Sequence, residues 1–272
     1  MPVPAEKLSI CDPIWSALRN QAEEIAATEP ALASFAHATV LKHSRLEDAL
    51  SYLLATKIGD DDVSAMMARE IFEEATNADT AIGEAVRADL SAIFERDPAC
   101  HSYAQAFLFF KGFHALQCHR IAHWLWMQGR KPLAYFIQSR VSALFAVDIH
   151  PAATIGRGIF LDHATGIVIG ETAVVEDDVS MLHGVTLGGS GKETGDRHPK
   201  IRRGVLLSAG AKVLGNIEVG EYSRVGAGSV VLKAVPPHCT VAGVPAKCIG
   251  CTSPERPSQE MNQIIGGADF DI

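Results

Sequence analysis

From Ile201 to Val235 an aliphatic side chain returns at every sixth position, a period that excludes most folds open to a chain of 272 residues. The recurring residues are Ile201, Leu207, Val213, Val219, Val225 and Val231. Each is followed four positions later by a small or β-branched residue: Val205, Ala211, Ile217, Ser223, Ser229 and Val235. A helix repeats at about 3.6 residues and a strand at about 2, so neither fits. Short strands joined by tight turns and stacked as a solenoid do fit, with one inward side chain on each flat side. The rhythm also runs through Ile149, Ile155 and Leu161 and, after a shift of two residues, through Ile169, Val175, Met181 and Leu187. Three hexads make a triangular turn of about 18 residues, which predicts about four to five stacked turns, each covering its neighbour's edge.

The rhythm breaks over residues 188–200, a polar and Gly-rich excursion, GGSGKETGDRHPK. A loop of that length leaving a repetitive scaffold points to function. Upstream the pattern is helical. Asp12-Pro13 reads as a helix start, Ser44-Arg45-Leu46-Glu47 as a capping box, and Asp60 to Asp62 as negative charge at another helix N-terminus. Phe107, Phe110, Phe113 and Leu116 recur at helical spacing, and Gly129 before Lys131-Pro132 is a stop. The organisation expected is a helical domain over residues 1–140, a β-helical domain over 141–250 and a flexible C-terminal tail over 251–272.

A hydrophobic share of 47% lets the chain bury one sizeable core or two smaller ones. No secretory pattern opens the sequence and the apolar stretch at 104–110 is too short to span a bilayer, so a cytoplasmic protein is expected, without a membrane partner. The net charge of -8 argues against nucleic acid as partner. Cys11, Cys100, Cys118, Cys239, Cys248 and Cys251 show no disulfide framework, as suits a reducing compartment. Cys248 and Cys251 form one C-x2-C, but no second pair or suitably spaced His pair completes a zinc site, and no metal is expected.

Aspartate and histidine gather in the first turns of the repeat: Asp148, His150, Asp162, His163 and His183, with Arg197-His198 in the excursion. Solvated surface residues are the alternative for any one of them. As a group they suit acid–base chemistry, because a neutral imidazole accepts a proton at physiological pH once a partner orients its other nitrogen. Asp148 precedes His163 by 15 residues, nearly one turn, so it can stand on the neighbouring rung about 4.8 Å away.

The segments DIHPAA from Asp148, LDHATG from Leu161, IGETAV from Ile169, VTLGG from Val185 and DRHPK from Asp196 resemble the serine O-acetyltransferase family. So do LASF from Leu32, ERDPA from Glu95 and KGFHALQ from Lys111, and the resemblance covers almost the whole chain. It implies a left-handed parallel β-helix of the hexapeptide-transferase kind, trimeric, with helical domains joining two trimers, and active sites between adjacent β-helices, so that a monomer is inactive. Periodicity gives no hand, and left-handed crossovers oppose the usual preference.

By the same resemblance, His163 is the general base on the L-serine hydroxyl and Asp148 orients its ring. The serine oxygen attacks acetyl-CoA directly, and the backbone N–H of Gly189 is the oxyanion donor. Arg197 holds the substrate carboxylate, Asp97 and Asp162 lie near its ammonium group, and His198 lines the pocket. Acetyl-CoA runs along the coil past Ala209 and Ala227, with Lys233 and Lys247 as candidates for its phosphates. L-Cysteine is implied as a feedback inhibitor at the serine site. Ile272, the last residue, is implied as the anchor for O-acetylserine sulfhydrylase.

Two further patterns fail. Residues 186–193 miss two positions of a phosphate-binding G-x-x-x-x-G-K-[ST] loop, and His119 with His123 lacks a third metal ligand. His119 stands where the family commonly has an aromatic residue, and His183 is assigned no chemistry. The competing readings are a hexapeptide acyltransferase acting on a sugar, which leaves the helical domain and the Asp97, Asp162 and Arg197 set unexplained, and a β-helical zinc enzyme of the carbonic anhydrase type.

Overall fold

The structure, a computed structural model, describes residues 12–191, 194–251 and 256–263. Helices come first: α1 (Pro13–Thr28), α2 (Pro30–Ala36), α3 (Leu46–Ile58), α4 (Ala65–Ala78), α5 (Thr80–Arg96), α6 (Tyr103–Phe109), α7 (Lys111–Met127) and α8 (Lys131–Phe145), with a π-helical stretch at His37–Leu41. None of them is long and apolar enough to cross a membrane. Asp12 caps α1 as expected, accepting from the Trp15 N–H at 3.1 Å.

The capping box at Ser44 does not form: α3 begins after Arg45 with no side-chain cap, because Glu47 is drawn to Arg87 at 2.7 Å. The acidic run before α4 also acts differently from expectation. Asp60 accepts from the backbone N–H groups of Asp62 and Val63 and shapes the turn, while Ser64 caps the helix through the Met67 N–H.

Helix α8 runs past the expected boundary near residue 141 and ends in a left-handed cap at Ala146, where the coil starts without a linker. The strands follow: β1 (Val147–Ile149), β2 (Thr154–Ile155), β3 (Phe160–Leu161), β4 (Ile167–Ile169), β5 (Val174–Val175), β6 (Ser180–Met181), β7 (Thr186–Gly188), β8 (Lys200–Ile201), β9 (Leu206–Leu207), β10 (Lys212–Leu214), β11 (Glu218–Val219), β12 (Arg224–Val225), β13 (Val230–Val231), β14 (Cys239–Gly243) and β15 (Ala246–Cys251); a last short helix is α9 (Pro257–Glu260). They form a three-sided parallel solenoid. One face stacks β1-β4-β7-β10-β13, the second β2-β5-β8-β11 and the third β3-β6-β9-β12-β14, with β15 returning antiparallel to close the end.

The inward residues are those the rhythm marked, with Ile155 only half-buried. Ile149, Leu161, Ile169, Val175, Met181, Leu187, Ile201, Leu207, Val213, Val219, Val225 and Val231 are all buried. Ser223 and Ser229 are buried beside them and bonded at the last rung: Ser223 Oγ donates to the Pro236 carbonyl, and Ser229 Oγ accepts from the Gly243 N–H.

Helix and coil are stitched together by buried charged side chains, Arg96 on the Gly158 carbonyl and, more extensively, Asp89 with Arg120. Asp89 of α5 is fully buried and accepts from Arg120 Nη2 (2.7 Å) and Nε (3.1 Å), Gln117 Nε2 (2.9 Å) and the Ile159 N–H (2.9 Å). Arg120 also donates to the carbonyl of Gly156 at 2.7 Å. Nearby, Gly112 of α7 packs so closely on β3 that a Cβ there would collide with the Leu161 carbonyl oxygen.

The expectation that the cysteines form no disulfide is overturned. Cys239 and Cys251 are joined, because the β14–β15 hairpin sets them directly opposite each other. Residues 256–263, within the expected tail, lie against the coil: Ser180 Oγ donates to the Ser258 carbonyl and Arg224 to that of Asn262.

Candidate active site

A lengthening of the first turn sets the site. Leu161 lies opposite Met181, 20 residues on, whereas Val168 lies opposite Thr186, 18 on. The two extra residues fall in the turn between β3 and β4, where His163 and Ala164 have φ of 53° and 59°. Two consecutive left-handed residues with side chains are unfavourable and need support from their surroundings. Their effect is to lift the His163 imidazole out of the coil, 76% exposed, with Nε2 3.7 Å from Asp162 Oδ1. The ring meets that of His183 edge-on, centroids 6.0 Å apart.

From this turn downward the same corner repeats, without insertion on the later rungs. Gly166, Gly184, Gly210 and Gly228 stack there with φ between 65° and 77°, a conformation glycine adopts without cost. The N–H groups of Gly184, Gly210 and Gly228 donate to the carbonyls of Thr165, His183 and Ala209 at 2.8–2.9 Å. The residues preceding these glycines, Thr165, His183, Ala209 and Ala227, therefore descend the edge one rung at a time from His163. Ala209 and Ala227 thus share a corner with the proposed base, and their small side chains leave that edge open.

Asp97, Asp162 and His163 border one cleft of about 990 Å³, together with Phe94, Phe110 and Lys111. Asp97 follows α5 and accepts from the Ala99 N–H at 2.8 Å. Burial raises the Asp162 carboxyl above its ordinary range; the His163 ring opposes that shift and the Asp97 charge reinforces it. Gln259, Glu260 and Met261 form the far wall.

The other predicted residues lie elsewhere on the chain. Asp148 is not the rung neighbour of His163: it lies within β1 opposite Val168, whereas His163 stands at the β3–β4 corner, and it accepts from Gln138 Nε2 at 2.7 Å. A spacing of 15 resembles one turn, but register counts 20 residues here and sets Asp148 within a strand and His163 at a corner. Near Asp148, His150 is ringed by Trp126 and Tyr135, and burial lowers its pKa.

Arg197 and His198 are organised by Thr172. Its Oγ accepts from the N–H groups of both residues (3.0 and 3.1 Å) and contacts His198 Nδ1 at 2.9 Å, while the Thr172 N–H donates to the same nitrogen. With Nδ1 accepting, the neutral ring carries its proton on Nε2. His198 is buried against Gly170, where a Cβ would collide with the edge of the ring, and burial followed by the Arg197 charge lowers its pKa. Arg197 Nη2 donates to Glu171 at 2.8 Å, which holds the Glu171 carboxyl below the usual carboxylate range.

Gly189 follows β7 where the excursion begins, Lys233 is exposed just after β13, and Lys247 is exposed on β15 opposite Ala242. Ile272 lies outside the described residues. Sequence reasoning missed Gln138, Thr172 and Glu171 as parts of the site. The last two lie in the segment from Ile169, but nothing in their spacing announces their bonds to Arg197 and His198.

Residues 14–118 match the family described as serine acetyltransferase, N-terminal, and residues 198–233 match the bacterial transferase hexapeptide (six repeats). A serine acetyltransferase of Salmonella typhimurium is 56% identical over 265 residues, covering 97% of this chain and 96% of its own.

The chain belongs to the serine acetyltransferase family.

A serine acetyltransferase solved in complex with cysteine superposes with a TM-score of 0.92 at 53% identity, over 93% of this chain and 98% of that one. The Brucella abortus serine acetyltransferase in complex with coenzyme A gives 0.88 at 54%, over 91% and 100%. Membership of the serine acetyltransferase family sets aside the sugar-directed acyltransferase and the zinc enzyme.

Proposed function

We propose that the chain transfers the acetyl group of acetyl-CoA to the hydroxyl of L-serine, giving O-acetyl-L-serine and CoA, at a site completed by a neighbouring copy. The carrying observation is the split of the site within one chain: Asp97, Asp162 and His163 share a cleft, while Asp148, Arg197 and His198 lie outside it. Two copies packed side by side, as in a trimer within a dimer of trimers, bring one group against the other.

In that site a neutral His163 accepts the serine hydroxyl proton as the oxygen attacks the thioester carbon, and Asp148 of the neighbouring copy steadies the imidazolium. The Gly189 N–H donates to the oxyanion. On collapse, the CoA thiolate leaves and takes the proton from the His163 imidazolium. Asp97 and Asp162 hold the ammonium group. Arg197 holds the carboxylate by exchanging its half-buried bond to Glu171, since such pairs near the surface are worth only about 0–1 kcal/mol. His198 lines the pocket.

Acetyl-CoA lies along the edge of Ala209 and Ala227, toward Lys233 and Lys247. L-Cysteine keeps the same ammonium and carboxylate and so competes with L-serine, in keeping with the relative solved with cysteine. The reaction belongs to the cytoplasm, as the first step from serine to cysteine, and Ile272 anchors O-acetylserine sulfhydrylase.

Following CoA release with L-serine and with an amino sugar, in wild type and His163→Ala, tests the assignment. We expect L-serine to be preferred and the variant to lose roughly 10²–10⁴-fold in kcat. Undiminished turnover, or preference for the sugar, overturns it. Deleting Ile272 should abolish sulfhydrylase binding and spare acetyl transfer.

A further inference from the structure

The hairpin that closes the coil carries three cysteines that acetyl transfer does not use. Cys239 opens β14 and Cys251 ends β15, opposite each other and joined. Cys248 stands three positions before Cys251, and in a regular strand it would point to the other face. The register prevents that: Gly250 lies opposite Thr240 but Cys248 lies opposite Val241, so Ile249 is an extra, bulged residue. The bulge turns Cys248 onto the face of Cys251, sulfur to sulfur at 3.4 Å, and all three sulfurs lie within 4.8 Å of one another. Cys239 is buried and Cys248 is exposed as a free thiol.

We propose that Cys239, Cys248 and Cys251 form a thiol–disulfide exchange centre in which Cys248 and Cys239 compete for Cys251. The Cys248 thiolate attacks Cys251 Sγ and forms a Cys248–Cys251 disulfide. The bond to Cys239 breaks, its electron pair leaves on Cys239 Sγ, and that sulfur takes up a proton equivalent to the one Cys248 gave up. No oxidant is consumed. A small-molecule thiol catalyses the same change by attacking Cys251, after which Cys248 expels it.

The two states differ in what they tie together. In the first, a covalent bond fixes the end of β15 to the last rung of the coil; in the second, the bond closes within β15 alone. Only residues 252–255 separate Cys251 from the segment whose Gln259, Glu260 and Met261 wall the His163 cleft. Exchange therefore releases the near end of that wall. This inference does not depend on which acceptor the enzyme uses.

The test identifies the free thiol. Full-length protein is incubated at mildly alkaline pH with a trace of reduced glutathione, quenched in acid, alkylated and mapped by mass spectrometry without reduction. Wild type should yield both linkages, with alkylated Cys239 appearing as alkylated Cys248 declines. Cys248→Ser should keep the Cys239–Cys251 bond alone. By hydrogen exchange, Cys239→Ser, which holds the exchanged state, should lose protection over residues 256–263 relative to Cys248→Ser. A wild type in which Cys248 is always the free thiol overturns the proposal, as do three free thiols holding stoichiometric zinc. Equal protection in the two variants overturns the link to the cleft.

Discussion

Gln138 donates a hydrogen bond to Asp148 at 2.7 Å on one face of the coil, while His163 stands exposed at a corner that Asp148 does not reach. If Asp148 serves a His163 of another copy, two inactive variants should rescue each other. Asp148→Ala and His163→Ala, each nearly inactive alone, should regain activity when refolded together, with about a quarter of the sites intact after random assortment. Absence of rescue in a CoA-release assay places both residues in one subunit's site.

Gly170 makes room for the ring of His198. Gly170→Ala pushes that ring from its seat against Thr172, and the lost positioning should lower kcat/KM for L-serine roughly 10–100-fold. Steady-state kinetics with serine varied at saturating acetyl-CoA measures it, and an unchanged value would show that His198 stands clear of the substrate.

Fully buried Asp89 and nearly buried Arg120 join helix to coil. Asp89→Ala leaves the guanidinium without its counter-charge and the Ile159 N–H without an acceptor, at a cost of about 3–5 kcal/mol. A urea denaturation midpoint reports the loss. A change below about 1 kcal/mol would mean that water fills the vacated position.

His114 is buried, with Nε2 2.7 Å from the Phe107 carbonyl oxygen, and burial lowers its pKa from 6.5 to about 4. A depressed folded-state value means that the unfolded chain binds the proton more tightly. The stability held at neutral pH is therefore lost as pH falls from about 6.5 through about 4. Thermal melts of wild type and His114→Gln across that window should converge toward acid pH, and parallel curves would exclude this residue as a source of acid lability.

The coil was legible because its inward residues obey one period, and the slip of that period between Leu161 and Ile169 coincides with the insertion that presents His163. The break after Gly188 likewise marked the segment carrying Arg197 and His198. Linear spacing does not reveal where on a triangle a residue sits, so a separation that permits Asp148 beside His163 within one chain instead leaves it in β1 on Gln138. Nor could it reveal the disulfide. Cys239 meets Cys251 only because a hairpin folds back across twelve positions, and the same hairpin needs a bulge to bring in Cys248. Glu47 matched a local cap, yet the long-range attraction of Arg87 prevailed.

The glycine column beneath His163 acts as a ruler. From Gly166 to Gly228 it counts three steps of about 4.8 Å, roughly 14 Å in all, and backbone hydrogen bonds set each graduation. A carrier lying along that edge is measured against it, so a donor with a shorter or longer arm would deliver its acyl group out of register with the imidazole.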